Sequence, residues 1–149
     1  MARIFMFMAF FIAGIAFFSS CKKSSSTSYR MYASINGAAF NGAKCFATSN
    51  NTAINIYGNL ASDTSATKPA FPYILLSISN FTGTGTYVIG TSGATGAGAI
   101  IDSSATHNAI GIYGTITINS VSPNISGSFS FLALDSTSVT NGSFTALAP

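Results

Sequence analysis

The chain has 149 residues, of which 48% are hydrophobic and only 6% are charged, and its formal net charge is +3. Three of its six basic residues, Arg3, Lys22 and Lys23, lie in the N-terminal segment, and the other three are balanced by three aspartates. The rest of the chain is therefore formally neutral. This composition excludes the basic surface with which proteins bind nucleic acid, so no nucleic-acid partner is expected.

The first feature along the chain is an export signal over residues 1–20. Arg3 precedes an unbroken apolar block from Ile4 to Phe18, and the small residues Ser19–Ser20 follow it, directly before Cys21. As a helix the block would span about 22 Å at ~1.5 Å per residue, which is short of the ~30 Å hydrocarbon layer of a bilayer. A cleaved signal peptide is therefore favoured over a permanent membrane span.

The cysteine that follows the small residues resembles the lipobox of bacterial lipoproteins. This resemblance implies cleavage between Ser20 and Cys21, with a lipid on the Cys21 sulfur holding the protein to the membrane. Phe18 departs from the family pattern, which usually has an aliphatic residue there. The lysines after Cys21 are no aspartate retention signal, so the resemblance implies delivery to the outer membrane. The alternatives are an ordinary signal peptide with a chance cysteine near its cut, and an uncleaved anchor.

Residues 21–28 are predicted to be a lipidated tether, because the serine-rich run from Ser24 to Ser28 has nothing to bury. The lipid also decides the cysteine chemistry. If it occupies the sulfur of Cys21, Cys45 is the only thiol left and no internal disulfide can form. Without it, a Cys21–Cys45 bridge is available in an oxidising compartment.

Residues 29–149 are predicted to form a single all-β domain, because β-branched and turn-forming residues dominate while strong helix formers are scarce. Asn36-Gly37 is a type I′ hairpin signal. The predicted strands are Met31–Ile35, Phe40–Thr48 with a bend at Gly42, Ala53–Ala61, Tyr73–Asn80, Thr86–Ile89, Ala99–Asp102, Ala109–Ser120, Ile125–Leu134 and Val139–Leu147. About 8–10 short strands with frequent turns indicate one antiparallel β-sandwich or small barrel. The glycine-rich segment Gly90–Gly98 is predicted to be a loop.

Period-two alternation predicts which strand faces are buried. The longest alternating run places Ile110, Ile112, Ile116 and Ile118 on one face and Tyr113 on the other. The predicted core includes Ile54, Ile56, Ile74, Leu76, Ile112, Ile116, Phe129 and Phe131.

The order of short motifs in this domain resembles a family of small bacterial lipoproteins that carry a domain of unknown function. The resemblance covers Met31 to Thr145, and Phe40 stands where the family often has Trp. It implies a lipid-anchored β-domain and implies no activity. The motifs are Ala33–Gly37, Gly85–Gly90, Tyr113–Ile118, Gly127–Phe131 and Val139–Phe144.

The sequence offers little for catalysis, so no catalytic residue is assigned. His107 is the only histidine, and Asp102, Ser103 and Ser104 precede it closely, but hydroxyl residues are abundant throughout the chain. One histidine, one thiol and three dispersed aspartates give no metal-ligand spacing, and no cofactor is expected. The Gly90–Gly98 segment lacks the lysine and following helix of a phosphate-binding loop.

Tyr57 and Tyr113 are the candidate binding residues, because both lie opposite the isoleucines of their strands. Exposed aromatic rings beside Asn and Thr suit contact with a glycan or with an envelope protein. The alternative is that both rings simply pack against neighbouring side chains.

The function predicted from sequence is a non-catalytic binding or structural module, held by lipid in the cell envelope. One alternative is a hydrolase of envelope glycan or peptide. The other is a small outer-membrane β-barrel, which also alternates apolar and polar residues. It is disfavoured because a lipidated cysteine would be redundant there and the terminal Ala-Leu-Ala-Pro lacks an aromatic end.

Overall fold

The computed structural model describes residues 28–50, 52–60, 72–90, 93–101 and 108–149. The predicted signal peptide, the cleavage site at Ser20 and Cys21, and His107 lie outside these residues. The described part of the chain contains ten strands and no helix, as predicted for an all-β domain. The strands are β1 (Arg30–Ile35), β2 (Ala38–Gly42), β3 (Lys44–Asn50), β4 (Ala53–Asn59), β5 (Tyr73–Ile78), β6 (Gly85–Gly90), β7 (Gly96–Ile101), β8 (Asn108–Ser120), β9 (Asn124–Ala133) and β10 (Ser138–Leu147).

No helix that could cross a membrane occurs in the described ranges.

The first hairpin forms where the sequence predicts it. Asn36 and Gly37 have φ angles of 48° and 85°, and a type I′ turn requires positive φ at both of its central residues. The Asn36 side chain also accepts a hydrogen bond from the Ser138 amide at 2.8 Å, while the Asn36 amide donates to the Ser138 carbonyl at 2.9 Å. The turn is therefore tied to the start of β10.

The predicted strand Phe40–Thr48 divides into β2 and β3 at Gly42, where a bend is predicted, so it is wrong only as one continuous strand. The chain changes its neighbour at this point: β2 pairs with β1, whereas β3 pairs with β4. Gly42 is the last residue of β2 and lies directly opposite Met31 of β1. A Cβ there would lie 2.8 Å from the Met31 carbonyl oxygen.

All ten strands belong to one mixed sheet, in the order β2-β1-β10-β3-β4-β5-β7-β6-β8-β9. Most pairs are antiparallel, but β10 and β3 meet in parallel through Leu147 and Phe46, and β6 and β7 through Ile89 and Gly96. The prediction of a purely antiparallel sheet is therefore wrong at these two places. A hairpin would make its two strands antiparallel, and neither of these pairs is joined by one. Because β9 also pairs with β10, the hydrogen-bonded neighbours form a circuit: β10, β3, β4, β5, β7, β8, β9 and back to β10.

The core lies on the face of the sheet that alternation predicts for most strands. Of the predicted core residues, Ile54, Ile56, Ile74, Leu76, Ile116, Phe129 and Phe131 are buried. Ile112 is only half-buried, so its assignment to the core is wrong.

A β-bulge in β8 explains the error. Gly111 pairs with Ala133 and Tyr113 pairs with Leu132, so β8 has one extra residue between these two pairs. Ala109 and Gly111 face the core before the bulge, and Ile116 and Ile118 face it afterwards. Ile110 therefore faces outward and is 56% exposed, although unbroken alternation places it beside Ile116.

The predicted loop Gly90–Gly98 is wrong at its C-terminal end, where β7 begins at Gly96. Gly96 and Gly98 are buried, and a Cβ at Gly98 would lie 2.8 Å from the Phe131 ring. Because these glycines have no side chain, the Phe131 ring can pack against the backbone of β7. They therefore belong to a strand, although the sequence alone indicates a turn.

Candidate functional site

The two tyrosines predicted to bind lie on separate parts of the sheet. Tyr57 is in β4 and Tyr113 is in β8, with β5, β7 and β6 between them in the strand order. Tyr57 is half-buried, whereas Tyr113 is 75% exposed. They therefore belong to two different surfaces, and each surface has its own chemistry.

Tyr57 is part of an aromatic row, formed by Phe46, Tyr57 and Tyr73 on neighbouring strands. Phe46 lies directly opposite Tyr57, and their rings are stacked with centroids 4.9 Å apart and planes 14° apart. Tyr73 meets Tyr57 at 6.0 Å and 54°. Aromatic pairs of this kind contribute about 0.5–1.5 kcal/mol each beyond their burial. The Tyr57 ring is thus used in packing on the outer face of the sheet.

Lys44 and Asn59 extend this face at one end of the aromatic row. Asn59 lies directly opposite Lys44 in β3 and directly opposite Tyr73 in β5, so all three side chains share the face of Tyr57. The Lys44 Nζ lies 5.9 Å from the centroid of the Phe46 ring, within cation–π range.

Asn59 is the unusual member of this group. It is 1% exposed, and neither its amide oxygen nor its amide nitrogen has a hydrogen-bond partner within the described part of the chain. An unpaired buried amide costs about 1–3 kcal/mol, so such groups are rare in folded proteins. Alternation predicts its face correctly, but no signal in the sequence indicates that it is buried.

Burial also acts on two ionisable groups near the row. It raises the pKa of the Tyr73 phenol, and the charge on Tyr57 raises it further, so at neutral pH the Tyr73 hydroxyl keeps its proton. Burial raises the pKa of the Cys45 thiol to about 12. Cys45 is a free, buried thiol on the core face, and this chemistry makes it a poor nucleophile.

A cavity of about 390 Å³ lies beside Lys44 and Phe46, where β3 meets β10. Its walls are largely apolar and include Tyr29 and Leu147 in addition to those two side chains. The backbone around it is already paired: the Cys45 amide donates to the Tyr29 carbonyl at 3.0 Å, and Phe46 pairs with Leu147.

Tyr113 is the centre of an exposed apolar surface, called the Tyr113 patch, which comprises Ile110, Tyr113, Leu132 and Leu134. Tyr113 lies directly opposite Leu132, and the Leu134 amide donates to the Ile110 carbonyl at 2.9 Å, so the four residues adjoin one another. Tyr113 and Leu134 are each 75% exposed. The bulge in β8 creates this patch because it turns Ile110 outward, which unbroken alternation could not predict.

Hydroxyl groups border the Tyr113 patch on the side of β10. A groove of about 180 Å³ is lined by Tyr113 and Leu132 together with the hydroxyl residues Ser130, Ser138 and Thr140. The surface thus combines an aromatic centre, aliphatic neighbours and a polar rim.

No cluster of three or more His, Cys, Asp or Glu side chains that could hold a metal ion occurs among the residues described. His107, Asp102, Ser103 and Ser104 lie outside those ranges. The hydrolase alternative stays a prediction.

Comparison with protein families, with curated proteins and with solved structures found no match to this chain. The resemblance to a lipoprotein family with a domain of unknown function stays a prediction.

Proposed function

We propose that this chain is an exported protein, anchored by lipid in the bacterial cell envelope, whose β-domain is a non-catalytic binding module. The observation that carries the proposal is the Tyr113 patch. Four adjoining apolar side chains exposed on one sheet face are the kind of surface that marks a contact site in a protein with an otherwise buried core.

The lipid anchor is supported by the order of residues before the domain. A charged residue, an apolar block and Ser19–Ser20 precede Cys21, and the first strand begins at Arg30. The intervening residues are long enough to hold the domain away from the lipid surface, at up to ~3.3–3.6 Å per extended residue. A lipid with more than one acyl chain would hold it firmly.

The circuit of strand pairing supports a small barrel in preference to two separate layers. The weakest part of the circuit is the β3–β10 contact, which consists of a single pair, Phe46 and Leu147. Slow hydrogen exchange of the amides on both sides of this contact would support the barrel. Fast exchange there, with slow exchange elsewhere in the sheet, would support a sandwich.

The Tyr113 patch suits a protein partner better than a membrane or a glycan. Protein interfaces combine an aromatic centre with aliphatic neighbours and a polar rim, which Ser130, Ser138 and Thr140 provide here. A surface for anionic lipid would have basic residues at its edge. The basic residues within the described ranges, Arg30 and Lys44, lie on β1 and β3, away from β8 and β9.

Two experiments test the two halves of the proposal. The intact mass of membrane-extracted protein should equal that of a chain beginning at lipid-bearing Cys21. An unmodified Cys21, or retention of residues 1–20, would overturn the anchor.

For the binding module, an envelope pull-down with the lipid-anchored protein should recover a protein that is lost with Tyr113→Ala. The matched control is Tyr32→Ala, since Tyr32 is an exposed tyrosine on β1, a strand that pairs with neither β8 nor β9. Equal recovery with the two variants would exclude the Tyr113 patch as the contact.

A further inference from the structure

We infer that β2 is the contact strand of a symmetric dimer, in which the β2 strand of a second copy of this chain pairs with it edge to edge. The starting observation is the place of β2 in the sheet. Every other strand of the described part of the chain pairs with at least two strands, whereas β2 pairs with β1 alone. The free edge of such a strand presents main-chain N–H and C=O groups with which another chain can pair.

The first hairpin determines which main-chain groups face the free edge. A two-residue turn makes the residues on either side of it, Ile35 and Ala38, a hydrogen-bonded pair. Hydrogen-bonded pairs alternate with non-hydrogen-bonded pairs along an antiparallel ladder. Ala39 and Asn41 therefore direct their N–H and C=O groups away from β1. No backbone partner for these groups occurs within the described ranges.

The side chains of β2 leave this edge open. Ala38, Ala39 and Asn41 are exposed, whereas Phe40 and Gly42 are buried. Proteins commonly protect an edge strand with a charged residue, a proline or a β-bulge. β2 contains no charged residue and no proline, and its register with β1 is regular along its whole length. The edge is thus accessible and lacks these protections against pairing.

The pattern of outward groups is complementary to itself. When two β2 strands run antiparallel about a twofold axis at Phe40, Ala39 of each copy lies opposite Asn41 of the other. Both are positions whose main-chain groups point outward, so each outward N–H meets a C=O of the second copy. The side chains that meet are a methyl group and a neutral amide, so neither bulk nor like charge opposes the approach.

A second copy suits this edge better than an unrelated peptide does. A foreign strand is selected by pockets that accept its alternate side chains. The exposed side chains of β2, which belong to Ala38, Ala39 and Asn41, are too small to form such pockets. What the edge offers is the spacing of its outward groups about Phe40, and an identical strand matches that spacing.

The contact is small, because β2 has only five residues. The pairing should therefore be reversible and should increase with the local concentration of the protein. The proposed lipid anchor would favour it by confining the copies to one membrane surface. The inference does not depend on the Tyr113 patch, which lies on other strands.

Disulfide trapping in intact cells that express the full-length chain tests the pairing. Ala39→Cys and Asn41→Cys are expressed together with different tags, and a mild oxidant is added. Opposite residues of a hydrogen-bonded antiparallel pair have Cα atoms about 5.5 Å apart, a distance that suits a disulfide. We expect a disulfide between the two variants that is at least tenfold more abundant than the self-adduct of either variant alone.

Two features of this experiment make its result specific. Peptide mass spectrometry should locate the bond between positions 39 and 41, so an unlipidated Cys21, which would count against the anchor, is detected separately. Ser128→Cys, expressed with Asn41→Cys, is the matched control, because Ser128 is exposed on β9, a strand that is paired on both sides. The control should give no adduct.

Charge substitution at the same two positions provides the second measurement. Ala39→Lys combined with Asn41→Lys places lysine opposite lysine and should lower the dimer fraction at least tenfold. Ala39→Lys combined with Asn41→Glu places each lysine opposite a glutamate and should keep the dimer fraction within about threefold of the wild type. Native mass spectrometry of the full-length, detergent-extracted proteins measures these fractions over a range of concentrations.

The symmetric pairing of β2 would be overturned by the absence of a bond between positions 39 and 41. A stronger self-adduct of Ala39→Cys, a disulfide from these positions to a different protein, or equal trapping of the Ser128→Cys control would also contradict it. So would equal dimer fractions of the two charge variants.

Discussion

Met31 lies directly against Gly58 in the interior of the domain. A Cβ added at Gly58 would lie 2.6 Å from the Cβ of Met31, and Met31 itself has no exposed surface. Met31 is in β1, which pairs with β2 and β10, whereas Gly58 is in β4, which pairs with β3 and β5. The contact therefore joins two strands that are not neighbours in the sheet.

Gly58→Ala should destabilise the domain by about 1–3 kcal/mol, because a side chain has no room against Met31. Urea denaturation measures the free energy of unfolding. The matched control is Gly90→Ala, where the nearest atom to an added Cβ is that of Ala94 at an ordinary 3.5 Å. Gly90→Ala should leave the free energy of unfolding unchanged or raise it slightly, since alanine reduces the conformational freedom of the unfolded chain. Equal stability of the two variants would show that Met31 does not pack on Gly58.

Local chemistry made much of the fold predictable from the sequence. The Asn36-Gly37 turn depends on two residues that tolerate positive φ, and it forms as predicted. The alternation of Ile54 and Ile56 in β4, and of Ile74 and Leu76 in β5, places all four in the core. These features depend only on residues that are close together in the sequence.

Features that depend on distant residues could not be predicted in this way. The bulge between Gly111 and Tyr113 is defined by the pairing with β9, and it reverses the orientation of Ile110. Gly98 belongs to a strand because Phe131 fills the space above it. Asn59 is read as an outward polar residue of β4, yet it is 1% exposed.

Cys45 should resist alkylation at neutral pH in the folded protein. Its thiol has a pKa of about 12 because burial disfavours the thiolate, which is the reactive form. Iodoacetamide labelling at pH 8, followed by mass spectrometry of the peptide that contains Cys45, should be slow without urea and rapid above the unfolding midpoint. Rapid labelling without urea would contradict the burial.

The same thiol should make stability depend on alkaline pH. Its pKa is raised from 9.0 to about 12 on folding, so its contribution is complete below pH 9 and is lost as the pH rises towards 12. The free energy of unfolding should fall as the pH rises from 9 towards 12, and fall less in Cys45→Ala. Tyr73 has a shift in the same direction and remains in both proteins, so the difference between their slopes reports Cys45. Identical slopes would contradict this account.

The two candidate tyrosines should differ in what their loss costs. Tyr57→Ala should destabilise the domain by about 1–3 kcal/mol, because the variant loses ring contacts with both Phe46 and Tyr73. Tyr113→Ala should change stability by no more than about 0.5 kcal/mol, since its ring is largely exposed. Thermal and urea denaturation measure both. A large loss in Tyr113→Ala would mean that this ring supports the fold and would weaken its role as a contact residue.

The most direct test of the proposed function is photo-cross-linking from position 113 in intact cells. In one variant of the full-length chain a benzophenone amino acid replaces Tyr113. In a control variant it replaces Tyr32, which is also exposed. The account predicts a discrete protein adduct from position 113 that is absent from position 32. It also predicts that Leu134→Ser abolishes this adduct without lowering the stability of the domain. Adducts with lipid alone, the same adducts from both positions, or an adduct that survives Leu134→Ser would contradict the account.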